Sequence, residues 1–472
     1  MKRSAWVAVV LFAGVAGLVW QRTLPLGRTT ISLLVTGGTV VTMDAAGSVV
    51  PDGAVAIDGT TIVAVGTAAD LDARYQGRER VDARGQVIMP GLINTHTHAP
   101  MVLFRGLADD LALMDWLNQY IFPAEKATVS PEFVRVGTRL AVLEMIESGT
   151  TTYADMYYFE EEIAAATKAA GVRGVLGQTI IRFPVADAAT PEEGLTRTEA
   201  FLARWANDPL IVPAVAPHAP YTLTPETLKA ARTLADKYRA PLLIHLAETR
   251  DEVGIIAGQF KMSPAMFLDS LGLWGGRSLA AHAVWVDEAD MKMLAARSVG
   301  LSHNPESNMK LASGTAPVTG WLSAGIPSGL GTDGAASNND LDMFDAMRAA
   351  ALLHKHATGD PRAMPAKQAL ELATRRGAAA LGLGDRIGSL ETGKLADIIT
   401  VSMSSARQTP MFDPLSHLVY VTRGTDVRNT IVHGRVLMRQ GRVISLNRSA
   451  VLQEAAAMAD KVRAAVSRKE GQ

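Results

Sequence analysis

Val87-Ile88-Met89-Pro90-Gly91-Leu92-Ile93-Asn94-Thr95-His96-Thr97-His98 is an apolar run that ends on two histidines one residue apart. Residues i and i+2 of an extended strand point to the same face. His96 and His98 at a strand's C-terminal end therefore make two jaws of one metal site. The arrangement recurs further along the chain, where His245, His282, His303 and Asp333 each follow another short apolar run. A single His-x-His pair arises readily by chance; a series of ionisable residues at successive strand ends does not.

Working outward from these residues, eight candidate strands end at His96/His98, at Asp155, near Gln178, and at His218, His245, His282, His303 and Asp333. Helical patterns lie between most of them: Glu132–Glu147, Glu160–Ala170, Pro225–Tyr238, Asp287–Arg297 and Val318–Ala324. Alternating strands and helices imply a parallel sheet. Eight such units imply an α/β fold of the closed, TIM-like (β/α)8 type, whose chemistry sits at the C-terminal strand ends.

The flanks differ. Residues 29–86 carry short apolar stretches broken by Gly and Asp, such as Ala54–Ile57 before Asp58-Gly59 and Thr61–Val65 after it, a hairpin signature. Residues 396–445 repeat that style around Asp397–Val401, Thr430–Val432 and Arg435–Met438. The two pieces are expected to join into one small composite β-sandwich around a barrel of residues 87–395, with residues 446–472 forming a C-terminal helix.

Lys2 and Arg3 precede an uncharged apolar run from Ala5 to Trp20. A basic start followed by such a run reads as a signal peptide or signal anchor, so residues 1–28 are set apart from the fold. The expectation is export from, or anchoring in, the inner membrane of a bacterium on its periplasmic side, with a cytoplasmic protein as the alternative. The whole chain is globular in composition: 48% hydrophobic, 20% charged, and a net charge of −1 from 46 basic and 47 acidic residues. That balance gives no basic excess for a nucleic-acid partner. With no cysteine in the chain, disulfides, thiolate metal ligands, a cysteine nucleophile and lipidation at cysteine are excluded.

His96, His98, His245 and Asp333 together offer three imidazoles and a carboxylate, which hold one divalent ion and leave a position for water. The donor set suits zinc, and also iron or manganese. A two-metal site would need a bridging ligand such as a lysine on the fourth strand, and Val215-Ala216-Pro217-His218 has none. Glu248, three residues past His245, is placed to shuttle protons beside the metal. His282 is placed to orient water and stabilise developing charge. The polar runs Ser302–Leu311 and Pro217–Tyr221 follow barrel strands and should line a substrate site.

These residues resemble a family. Pro90–His98 is similar to the amidohydrolase superfamily signature, and Ala99–Asp110, Ser302–Leu311 and Gly331–Asn339 narrow it to the aminohydrolase branch. The chain looks like the 5-methylthioadenosine/S-adenosylhomocysteine deaminase group, with the s-triazine hydrolases as relatives. The resemblance implies a metal on His96, His98, His245 and Asp333, proton transfer by Glu248, and positioning of the nucleophile by His282 and Asp333. It implies loss of ammonia from an aminated ring carbon, with Glu125 holding ribose hydroxyls, His218 contacting the base and Ser337 lining the substrate site. It allows a homo-oligomer. Members that take S-adenosylhomocysteine grip its carboxylate with arginines after the third strand. Here Gln178 stands near one such place, and Arg182 or Arg197 is the candidate substitute. The leader is a second departure, because S-adenosylhomocysteine is made in the cytosol. The alternative substrate is a bare heterocycle of s-triazine, guanine or pterin type. A non-catalytic scaffold is disfavoured because every candidate catalytic group is present, and an amide-bond hydrolase because the fourth-strand lysine is missing.

Overall fold

The computed structural model describes residues 27–470. The leader reading therefore lies outside the described residues, apart from its last two positions. Among the described residues, no helix is long and apolar enough to cross a membrane.

Eight parallel strands form the barrel sheet: β1 (Leu92–Thr97), β2 (Thr150–Tyr157), β3 (Arg173–Ile180), β4 (Ile211–Pro217), β5 (Leu242–Leu246), β6 (Ser278–His282), β7 (Gly300–His303) and β8 (Ser328–Leu330). Consecutive strands are neighbours throughout. The seam between β8 and β1 is closed largely by side chains. Thr95 Oγ1 donates to the Leu330 carbonyl at 2.8 Å, and the Asn94 amide bonds Thr332 at both its oxygen and its nitrogen. The backbone N–H of Asp333 then donates to the His96 carbonyl at 2.9 Å. That seam brings the first and last metal-ligand candidates side by side. Gly331 is required there: a Cβ would come within 2.8 Å of Asn304, Ser302 and the His96 nitrogen.

Helix starts share a local rule. Ser130-Pro131, Thr190-Pro191, Thr224-Pro225 and Ser263-Pro264 each place a hydroxyl at the cap, accepting from a backbone N–H three residues on, and a proline at the first helical position. The resulting helices are Pro131–Ser148, Pro191–Trp205, Pro225–Tyr238 and Pro264–Ser270. The first of them ends at Gly149, whose φ of 88° turns the chain directly into β2.

The two chain ends do join, into one nine-stranded and mostly antiparallel sheet. One of its faces packs Leu33, Val35, Val55, Ile57, Ile398 and Ile431; the other packs Ile31, Leu34, Ala54 and Ala56 under the helix Ala68–Arg74. The strand Gln86–Pro90 belongs to this sheet, pairing with Ile398–Ser402. The apolar run from Val87 to Ile93 is thus two strands, and the boundary at residue 87 moves to Gly91. An apolar run carries no sign of which sheet each half joins. Sheet and barrel are pinned by a buried ion pair, Arg173 to Asp397 at 3.1 Å. The helix Arg448–Glu470 lies along Pro131–Ser148 and the segment Phe122–Thr128. Its stripe Val451, Ala455, Met458 and Val462 is buried, at the spacing of one helical face.

Candidate active site

His96 and His98 leave β1 on one face, while Thr97 on the other donates to Asp155 Oδ1 at 2.7 Å. The same carboxylate oxygen accepts the Ala99 N–H, so Asp155 of β2 fixes the turn that follows the two histidines. His98 Nδ1 meets the Met156 carbonyl at 2.7 Å, and His245 Nδ1 meets the His218 carbonyl at 2.8 Å. A carbonyl can only accept, so each Nδ1 carries the proton and each Nε2 presents a lone pair. Those two Nε2 atoms face each other at 3.3 Å. His96 Nε2 is buried without a hydrogen-bond partner among the described residues and lies 3.4 Å from Asp333 Oδ1. His98 Nε2 is 3.3 Å from the same oxygen.

Lone pairs crowded together with a buried unpartnered nitrogen would repel one another unless a cation sat among them. The donor atoms of His96, His98 and His245 lie within 4.8 Å of one another, as do those of His96, His282 and Asp333. Burial pulls His96 down to about 4 and His245 well below its ordinary value, which keeps both rings neutral and able to ligate. Asp333 turns Oδ1 toward the Nε2 atoms of His96 and His98. Its second oxygen accepts from Ser307 Oγ at 2.7 Å. These residues fit a divalent ion.

Glu248 and His282 stand beside this cluster, with Glu248 Oε2 at 3.8 Å and Asp333 Oδ2 at 4.0 Å from His282 Nε2. Burial raises the Glu248 carboxyl. For His282, burial pulls downward, but the Glu248 and Asp333 carboxylates outweigh it and hold the ring above its ordinary value. His282 and Asp333 have φ of 70° and 65°. Non-glycine residues adopt that left-handed region at a cost of about 1–3 kcal/mol, and such strain clusters at functional sites. Here it aims both side chains into the barrel mouth.

The cluster floors a cavity whose walls include Trp116, Glu125, Tyr157, His218, Tyr221 and Ser337. Glu125, on Phe122–Thr128, accepts from the Tyr157 hydroxyl at 2.7 Å, and burial pushes its carboxyl up to about 7 against that bond.

A model of the amidohydrolase family matches residues 87–437. The chain belongs to the amidohydrolase family. A shorter match, over residues 53–75, is to the imidazolonepropionase-like composite domain of bacteria. The chain is 48% identical over 428 residues to a 5-methylthioadenosine/S-adenosylhomocysteine deaminase of Syntrophobacter fumaroxidans, covering 91% of this chain and 98% of the relative. It is 43% identical over 432 residues to a 5'-deoxyadenosine deaminase of Methanosarcina acetivorans, covering 91% and 98%. Among solved structures, an adenosine deaminase from Xanthomonas campestris with bound zinc superposes with a TM-score of 0.91 at 41% identity, covering 93% of this chain and all of that one.

In this amidohydrolase the structure brings together His96, His98, His245, Asp333, Glu248, His282, Glu125, His218 and Ser337 around one cavity. It does not bring Arg182, which is exposed and lines neither that cavity nor the wider one next to it. The chain turns outward after β3, where the Arg182 N–H donates to the Thr222 carbonyl. His303 is also outside the site, paired with His354 at 3.1 Å between ring nitrogens against Trp321. Sequence reading missed several residues that hold the site. Asn308 positions His282 through Nδ1 at 2.9 Å, and Glu252 accepts the backbone N–H groups of Ala247 and Glu248. Trp116, in a π turn over Trp116–Ile121, is buried with an indole N–H that has no partner among the described residues. A π turn is favoured where Pro123 has no N–H to return to the preceding turn.

Proposed function

We propose that this amidohydrolase removes the amino group of an adenosine-type nucleoside hydrolytically, leaving the inosine analogue and ammonia. One observation carries the reading: the His–Asp cluster and a buried, tyrosine-held carboxylate, Glu125, line one cavity. The cluster suits an attack on an aminated ring carbon. Glu125 suits two vicinal hydroxyls, since a carboxylate accepts from both. The relatives named as nucleoside deaminases support the same substrate class.

His96, His98, His245 and Asp333 would hold the metal, for which zinc is the proposed identity given the donor set and the zinc in the Xanthomonas relative. When bound, such an ion supplies a nucleophile from water at neutral pH and Lewis acidity at the reacting carbon. The residues of the chain do the rest. Glu248 takes a proton from the attacking water and delivers it to the ring nitrogen next to the reacting carbon. His282, fixed by Asn308, stabilises charge developing at that carbon's oxygen. A second proton on the amino group lets it leave as ammonia, so water and substrate account for every atom. His218, its ring held by Thr222 at 3.1 Å, packs beside His245 where the base would lie. The basic and apolar leader supports a further proposal, export or inner-membrane anchoring, checked by fractionating cells that express the full chain.

The test is ammonia release by the zinc-loaded protein with methylthioadenosine, adenosine, guanine and an aminated triazine. Turnover of nucleosides, with Glu125→Gln raising their KM at least tenfold, is the expected result. Turnover of the bare rings alone, indifferent to Glu125→Gln, would overturn it.

A further inference from the structure

A cavity of about 220 Å3 lies at the opposite end of the barrel from the His–Asp cluster. Its walls include Val212 and Pro241 at the starts of β4 and β5, Asp208, and three arginines. Pro241 and His245 stand four residues apart along one extended segment, which separates the two ends by about 13 Å.

Each arginine comes from a different element. Arg239 follows the helix Pro225–Tyr238 in a left-handed turn with φ of 52°. Arg277 immediately precedes β6. Arg386 sits after the helix Arg375–Ala380, in a turn where its N–H donates to the Leu383 carbonyl and its carbonyl accepts the Leu395 N–H, both at 2.9 Å. That turn leads the chain from the barrel into the strand Ile398–Ser402 of the composite sheet. Among the described residues, none of these three guanidinium groups forms an ion pair, whereas Arg84, Arg297 and Arg439 each grip a carboxylate. Asp208 is the one acid in the cavity wall, and it is already engaged. Its Oδ1 accepts the Leu210 and Ile211 N–H groups at 2.9 and 3.1 Å, and its Oδ2 accepts from Lys168 at 2.5 Å.

Arg277 is held in place. Its Nη2 donates to the Arg239 carbonyl at 2.6 Å, and its Cδ lies over Gly382, where an added Cβ would meet it at 3.1 Å. Burial pulls its guanidinium below the ordinary value, with no carboxylate to offset the loss of water. Like charges gathered in one recess repel one another, and an anion among them removes that repulsion. The donors define the anion. One guanidinium fork offers two parallel N–H groups to an oxyanion. Three forks offer more than the two oxygens of a carboxylate need, and they match the oxygens of a phosphate group. At about 30 Å3 per water the cavity has room for about seven waters, enough for a phosphate or diphosphate with part of its hydration shell.

We propose that this cavity binds a free phosphate or diphosphate anion between Arg239, Arg277 and Arg386, at a site separate from the metal cluster. The bound anion joins the floor of the barrel at β5 and β6 to the turn that enters the composite sheet. Because it binds the folded chain, it raises stability by linkage.

The experiment is equilibrium dialysis of the full-length, zinc-loaded protein against inorganic phosphate and, separately, pyrophosphate, with sodium chloride holding the ionic strength constant. About one equivalent should bind per chain with a Kd of about 1 mM or tighter. Arg277→Gln and Arg386→Gln should each weaken binding about tenfold or more. Lys237→Gln removes the same charge outside the cavity and should leave binding within about twofold. The thermal midpoint should rise with phosphate in the wild type and not in Arg277→Gln. Absence of saturable binding to either anion would overturn the proposal. A loss in Lys237→Gln equal to that in the arginine variants would overturn it too, because diffuse surface charge would then account for the binding. Binding that survives Arg277→Gln but disappears when the zinc is chelated away would place the anion at the metal instead. Capture by vesicles containing phosphatidic acid, without binding of either free anion, would reassign the arginines to a lipid headgroup and end the proposal.

Discussion

At the scale of single residues, the site depends on side chains whose protonation is set by what their far atoms touch. His245 gives its Nδ1 proton to the His218 carbonyl, which leaves Nε2 as a donor to a cation. Replacing it by alanine removes a buried ligand and leaves His98 Nε2 without its neighbour. His245→Ala is expected to bind less than a tenth of the metal retained by the wild type after dialysis, read by elemental analysis. Full retention would remove His245 from the ligand set. Glu248 makes no comparable claim on the metal. Its role is to carry protons, and losing a general acid or base typically costs about 10²–10⁴ in rate. Glu248→Gln should therefore keep the metal content and lose kcat by that factor, with KM little changed. A kcat within threefold of wild type would end its assignment as the shuttle.

At the scale of elements, one buried ion pair ties sheet to barrel within an apolar contact that includes Ile399, Val427 and Leu437. Arg173 at the start of β3 reaches Asp397 with two nitrogens and the Pro209 carbonyl with a third, while Asp397 also accepts the His433 N–H at 2.7 Å. Removing one partner strands a buried charge, at a cost of about 3–5 kcal/mol. Arg173→Ala should lose about that much in equilibrium denaturation, and Arg173→Met with Asp397→Leu should recover part of it. An unchanged midpoint in the single variant would show that the two elements do not depend on this contact. Neither residue stood out in the sequence, because a long-range pair has no local period. By contrast, His96, His98, His245 and His282 were legible, since each ends an apolar run and barrel geometry gathers strand ends. Glu125 and Ser337 were legible through motifs alone, and His218 through both its strand end and its motif. The bonds made by Asn308, Glu252 and Asp155 were not, although Asn308 lay in a marked polar run and Asp155 at a marked strand end, because they join groups that only the fold brings near. Arg182 was misplaced for a related reason: proximity to a strand end says nothing of which way the loop turns.

At the scale of the whole molecule, the barrel mouth buries many acids, and this gives stability a pH dependence of definite sign. Burial raises Glu306 to about 8, with Asp340, Asp345 and Asp342 adding repulsion, and raises Glu252 to about 7. Asp340 and Asp342 are themselves raised to about 6. Such groups hold protons in the folded state that the unfolded chain has already released. Their contribution is complete below the unfolded carboxylate range and is lost as pH rises through the folded values. The histidines that burial lowers act in the opposite sense. His354, lowered to about 4, supports the fold above its unfolded value near 6.5 and withdraws that support as pH falls toward 4. Between roughly pH 4.5 and 6.5 the two trends oppose each other, and above 6.5 only the acids act. The thermal midpoint of the metal-loaded protein should therefore fall from pH 6.5 to 8.5. Glu306 is the acid whose folded value reaches furthest into that window. Glu306→Gln removes the ionisation while keeping a neutral group of the same size, so the variant should match the wild type near pH 4 and exceed it by a growing margin up to pH 8.5. A decline as steep in the variant as in the wild type would mean that Glu306 is already ionised in the folded protein, and that its neighbours carry the pH dependence without it.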